Sequence, residues 1–91
     1  MTIPEIICKY RIERNLSQEQ FVERLTEKLQ TSLTKQIVSL WETGLRKPGY
    51  FLLLSMTLKY GYGDWRRNMA LECLAVLKPE LYAPDKVTQN G

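Results

Sequence analysis

Side chains able to do covalent or metal chemistry are scarce in this chain. It has no histidine and two cysteines, Cys8 and Cys73. A structural zinc site takes four ligands, so two isolated thiols are a poor set. Each sits among apolar residues at helical spacing and reads as a buried, reduced thiol, with a disulfide as the alternative. There is no Gly-rich phosphate loop and no metal-ligand cluster, so the residues argue against an enzyme and imply no cofactor and no metal. What the chain does carry is positive charge in one place. Residues 1–30 hold five basic and five acidic side chains. Residues 31–67 hold Lys35, Arg46, Lys47, Lys59, Arg66 and Arg67 against Glu42 and Asp64, while residues 68–91 are acidic by one charge. The net charge of +3 therefore arises in the middle third, where anion binding is the available chemistry.

That third contains TKQIVSLWETGLRKP, Thr34 to Pro48, a short helix that stops at Gly44 and runs into basic residues. Either it is an ordinary core helix or it lies in a groove of DNA. The surrounding elements have to present it. A length of 91 residues favours one domain with a modest core. No apolar run approaches the length of a membrane span. The start MTIPEII lacks the basic opening and long apolar stretch of a signal peptide, so the expectation is a soluble, cytoplasmic protein.

Apolar residues recur at spacings of three and four throughout, and no strand alternation appears, which predicts five helices. The first runs from Ile3 to about Arg14, capped by Thr2 with Glu5, with Ile3, Ile7, Tyr10 and Cys8 on its apolar face and Asn15 as its stop. The second opens on the capping box SQEQ at Ser17 and continues to Leu29 or Gln30, with Leu16 packing on Phe21. Thr34 caps the third, Lys35 to Glu42, with Val38 and Trp41 inward. Gly44 ends it in the left-handed conformation, and Leu45 contacts Leu40. The fourth, Tyr50 to Tyr60, is apolar enough to be largely buried. Asp64 caps the fifth, Trp65 to Leu77, and residues 81–91 form a mobile tail after a domain of residues 1–80.

LSQEQFVERL (Leu16–Leu25) and IVSLWETGLRKP (Ile37–Pro48) together resemble the lambda-repressor/Cro-like, XRE-type helix-turn-helix family. The resemblance covers about residues 5–60. Val22 stands where that family usually has a small alanine. The segment TEKLQTSL makes the spacing about six residues longer than the family's, whose motif has a three-to-four-residue turn, so helix 2 or the turn must be extended. The fifth helix lies outside the common family core.

The resemblance implies an all-α, DNA-binding transcriptional regulator of bacterial or phage type, with its third helix in the major groove of double-stranded DNA. By position, Thr34, Lys35 and Gln36 then reach base edges, with Ile37 and Leu40 along the same edge. The residue chemistry suits this: lysine donates to guanine O6 and N7, glutamine pairs with adenine, and apolar side chains touch thymine methyls. Leu40 is equally explained by the contact with Leu45. Gln18 is placed to bind a phosphate at a helix N-terminus and to brace the reading helix. Ser39, Arg46 and Lys47 are the other implied phosphate contacts, with Lys59 adding to the field. Glu42 is implied to pair with Arg11 and fix helix 1 on helix 3. No membrane partner or small-molecule ligand is implied.

Two features lie outside that scheme. Arg66 and Arg67 occupy a first helical turn, where cations oppose the dipole; they either meet a phosphate or acidic partner or bend away into solvent. The fifth helix carries Trp65, Met69, Cys73 and Val76 on one face and Ala70, Leu74 and Leu77 on another. That is more than one core-facing stripe: one face closes the core, and the other is either more core or a homodimer surface, which would suit palindromic half-sites. The rival reading is a protein-interaction module of the same fold, an antitoxin or regulator partner with little or no DNA binding.

Overall fold

Four of the helices begin where a side-chain oxygen three or fewer residues back, or two residues ahead of a free N–H, can take that orphan donor. The computed structural model describes residues 1–82. Among them it shows helices α1 (Ile3–Glu13), α2 (Gln18–Leu25), α3 (Lys35–Thr43), α4 (Tyr50–Lys59), α5 (Trp65–Leu77) and α6 (Pro79–Tyr82), and no strands. Thr2 and Ser17 close full capping boxes with Glu5 and Gln20. Thr34 accepts from the Ile37 N–H at 3.3 Å, and Asp64 from the Arg66 N–H at 2.9 Å. Each such cap is worth about 1 kcal/mol. The stops at Asn15 (φ 54°) and Gly44 (φ 80°) lie in the left-handed region. At Gly44 a Cβ would also stand 3.5 Å from Pro4 Cγ, so the end of α3 rests on the start of α1.

The fold is all-α. One core joins Ile3, Ile6, Ile7 and Tyr10 of α1, Phe21 and Leu25 of α2, and Val38 and Trp41 of α3 to Leu53, Met56 and Tyr60 around α4 and Met69, Ala70, Cys73 and Leu74 of α5. Helix α5 is central: it packs on α1, α4 and α6, while α3 packs on α1 and α2. Fully burying each large aliphatic or aromatic side chain contributes about 1.5–3 kcal/mol. Trp65 stacks at the edge of this core, 5.7 Å from the Phe21 ring and 6.4 Å from Tyr10.

Several expectations are corrected. Helix α2 stops at Leu25, four residues early, so the lengthened segment is turn and not helix. Thr26 bonds back to the Val22 carbonyl at 2.8 Å, and the Leu29 N–H turns to Thr26 O instead of Leu25 O. The Leu25 carbonyl accepts the buried Tyr60 hydroxyl at 2.7 Å, and that hydroxyl accepts from the Lys28 N–H at 3.2 Å. Helix α4 is covered on one side only: Phe51 is 81% and Leu58 83% exposed. Leu45, expected against Leu40, is exposed, because the outer bond of the α3 stop is made by the Arg46 N–H to Leu40 O at 3.2 Å. Cys8 is partly exposed and Ile6 takes its place in the core. Both faces of α5 are drawn into the chain's own core, and Val76 is the one large apolar side chain of α5 left exposed. The expected tail of residues 81–91 begins inside α6: Leu81 and Tyr82 are helical, and Tyr82 packs against the core with its hydroxyl 3.3 Å from that of Tyr50. Residues 83–91 of that tail lie outside the described residues.

Arg66 and Arg67 neither reach into solvent nor stand free for a phosphate. Arg66 holds Asp64 through two bonds of 2.9 and 2.8 Å, donates to Arg24 O at 2.8 Å and to the Glu27 carboxylate, and lies 3.9 Å over the Tyr60 ring. The Asp64 carboxylate in turn holds the Arg66 guanidinium above its ordinary pKa. Arg67 donates to Thr57 O and lies over the Tyr62 ring. These contacts tie α5 to the end of α2 and to α4.

No helix among the described residues is long and apolar enough to cross a membrane.

Candidate nucleic-acid interface

Helix α3 is divided lengthwise by its burial. Val38 and Trp41 are buried and Ile37 packs against the core. At about 100° per residue, Lys35, Ser39, Thr43, Gln36 and Leu40 fall in that angular order across an arc of roughly 140° on the opposite side. Lys35, Gln36 and Thr43 are exposed, and Ser39 and Leu40 partly so. The structure therefore brings Lys35, Gln36, Ser39 and Leu40 onto one accessible face and withdraws Ile37 from it. Thr34 stands at the head of that face with its hydroxyl engaged as the cap. Thr43 belongs to the same face and was missed in the sequence, although the period of the helix assigns it there.

Behind this face the helix is clamped. Arg11 Nε donates to Glu42 Oε2 at 2.6 Å and Nη2 to Oε1 at 2.9 Å, a bidentate pair spanning α1 and α3. The third donor of Arg11, Nη1, reaches Leu16 O at 2.9 Å. Gln18, from the first turn of α2, donates to Glu42 Oε1 at 3.4 Å. One carboxylate thus gathers α1, α2 and α3. The pair is mostly shielded, with side chains 19% and 10% exposed. The hydrogen bonds that Arg11 donates to Glu42 hold its guanidinium above its ordinary pKa. A charge-assisted, forked geometry of this kind fixes orientation as well as distance.

The cations of the face differ in their freedom. Lys35 Nζ lies 3.4 Å from the Glu19 carboxylate, and both side chains are more than half exposed. Exposed pairs of this kind contribute at most about 1 kcal/mol, so an incoming anion competes readily. Glu19 carries no signal in the sequence that would have singled it out, since the pairing depends on how α2 meets α3. Arg46 and Lys47 follow directly on the α3 stop, are exposed, and form no ion pair among the described residues.

No family model, curated protein or solved structure matches the chain.

Its site therefore stands on its own geometry. That geometry offers a polar helix face about two turns long, a helix start with no acidic residue in its first turn, and two exposed cations at the far end. An anionic, groove-shaped ligand with hydrogen-bonding edges is the chemical complement. No group of three or more potential metal-ligating side chains occurs among the described residues.

Proposed function

We propose that this chain is a sequence-specific, double-stranded-DNA-binding transcriptional regulator with a lambda-repressor-like helix-turn-helix arrangement. The observation that carries the reading is the division of α3. The inner side is seated in the core by Val38 and Trp41, Glu42 at the edge ties the helix to α1 and α2, and the outer arc presents Lys35, Gln36, Ser39, Leu40 and Thr43 next to Arg46 and Lys47. In this reading α3 enters the major groove. Lys35 donates to guanine and Gln36 pairs with adenine, with Thr34 and Leu40 at the margins of the read sequence. Ser39, Arg46 and Lys47 hold phosphates and set the register. Gln18 acts on DNA through Glu42 and a phosphate at the start of α2. No catalysis is assigned.

The test is selection of bound duplexes from a random pool, repeated with Lys35→Ala and Gln36→Ala. Loss of preference confined to a few base positions is the expected result. Uniform weakening would move both residues to the phosphate class. Affinity of the unaltered chain should fall steeply with salt, because each neutralised phosphate releases counterions.

A second reading has its own observation. Phe51 and Leu58, seven residues apart on α4, form an outward apolar pair. That surface suits a protein partner, either a second copy on a two-fold DNA site or the client of an interaction module that binds no DNA. Absence of any duplex binding at low salt would select the interaction module.

A further inference from the structure

The cations that flank α3 have a second neighbour besides the reading face. Arg46 and Lys47 border a groove of about 330 Å³ between the first turn of α1, the end of α3 and the last turn of α5. Its floor and walls are apolar: Ile3, Pro4, Val76 and Leu77 line it. Ile3 is buried, Leu77 packs against the core, and Val76 is 44% exposed. The rim is cationic. Thr2 also lines the groove, and its N–H and hydroxyl are engaged by the Glu5 carboxylate, which accepts them at 2.8 and 2.9 Å. The backbone at the rim is fixed, since the Arg46 N–H is bound to Leu40 O and Pro48 is buried. An apolar trough with two cations at one edge is complementary to a small molecule carrying one anionic head and one apolar tail.

We infer that this groove binds a small amphipathic carboxylate, its head group on Arg46 and Lys47 and its tail along Pro4, Val76 and Leu77, and that occupancy removes those two cations from DNA. At roughly 30 Å³ per water-sized atom, the groove takes about eleven heavy atoms, close to an eight-carbon acid. The binding itself stands apart from the proposed function. The antagonism rests on it, because the same two side chains serve as the phosphate contacts in that reading.

The probe is octanoate, titrated into the full chain while backbone amide signals are recorded by NMR. Saturable shifts centred on Ile3, Gly44, Val76 and Leu77 are expected, in the millimolar range or tighter. Butyrate should bind at least about tenfold more weakly, which is what roughly half the full-burial gain per methylene predicts for four methylenes. Val76→Asn, at a side chain outside the DNA face, should weaken octanoate about fivefold and leave duplex affinity unchanged. Octanoate should weaken duplex binding by the unaltered chain, and Val76→Asn should need about fivefold more of it for the same effect. Shifts that fail to saturate, that centre on Phe51 and Leu58, or that persist undiminished in Val76→Asn overturn the site. A chain that takes up octanoate in the groove but binds no duplex leaves the site standing and removes both the antagonism and the proposed function. A chain that binds duplex and ignores octanoate removes the site alone.

Discussion

Replacing Glu42 by leucine leaves Arg11 in place with its charge and takes away two of its three hydrogen-bond acceptors, leaving Leu16 O. Removing one partner of a fully buried ion pair costs about 3–5 kcal/mol, whereas an exposed pair is worth about 0–1 kcal/mol. Side chains that are 19% and 10% exposed place this pair closer to the buried limit. After discounting for the water that still reaches Arg11, Glu42→Leu should destabilise the fold by about 2–3 kcal/mol. For a domain of this size that lowers Tm by roughly 10–20 °C, readable by circular dichroism. Arg11→Met alone should cost a similar amount, since it strands the Glu42 carboxylate beside Gln18. Combining Arg11→Met with Glu42→Leu removes both charges and fills the space with apolar volume, so most of the loss should be regained. With a residual cost of about 1 kcal/mol in the double mutant, the coupling between the two sites is about 3–5 kcal/mol. Additive single-mutant costs, or a Glu42→Leu loss below about 0.5 kcal/mol, would show that the pair is an ordinary surface contact and that α3 is held by packing alone.

Tyr60→Phe removes the hydroxyl shared by Leu25 O and the Lys28 N–H, and should cost about 1–2 kcal/mol; faster amide exchange at Lys28 than elsewhere in the core is the specific sign. Arg66 holds the Asp64 carboxyl below the usual carboxylate range. Its stabilising contribution is therefore present above the unfolded pKa and is lost as pH falls through the lower folded value, so unfolding should steepen below about pH 4. Asp64→Asn, which keeps a good cap, should flatten that acid limb; an unchanged limb would assign it to other carboxylates. Burial pushes the Cys73 thiol up to about 12, so at pH 8 an alkylating reagent should label Cys8 in the native chain and reach Cys73 only on unfolding. Equal labelling rates at the two thiols would contradict the packing of α5.

What could be read from the sequence was local. Thr2, Ser17, Thr34 and Asp64 cap helices through atoms within three residues, and Asn15 and Gly44 stop them through their own backbone preferences. Such signals survive without knowledge of the fold. The end of α2 was not legible, because Leu29 continues the helical apolar spacing while the group that claims the Leu25 carbonyl is Tyr60, 35 residues away. Arg66 was misleading for a related reason. Its first-turn position opposes the helix dipole, but Asp64, Glu27 and the Tyr60 ring surround the guanidinium and reverse the local balance. On α4 the composition promised a largely buried helix, yet the chain fully covers only the Leu53 and Met56 side and leaves Phe51 and Leu58 exposed. Of the candidate interface, the exposed arc of α3 follows from helical period, while the Glu19–Lys35 pairing depends on the packing of α2 against α3.

The connector of residues 26–34 bears on how α3 is presented. A tight turn positions a following helix by leaving it few alternatives, and nine residues impose no such restriction. In this chain the restriction comes from elsewhere. Leu25 and Lys28 are pinned by Tyr60, and Arg24 and Glu27 by Arg66, so the connector leaves α2 from a fixed point. Thr34 closes the other end by capping α3. Between these anchors Leu29 and Leu33 pack on the core. The helix itself is oriented by Val38 and Trp41 below and by Glu42 behind, on contacts that do not involve the connector. Lengthening a closed loop costs only about 0.6 kcal/mol per doubling, so a long connector is tolerated once the helix has its own anchors. The pose of α3 relative to α1 and α2 is thus set by the buried Val38 and Trp41 together with the Arg11–Glu42–Gln18 junction. Those anchors, and not the length of the turn, are the features on which presentation of the Lys35–Gln36 face depends.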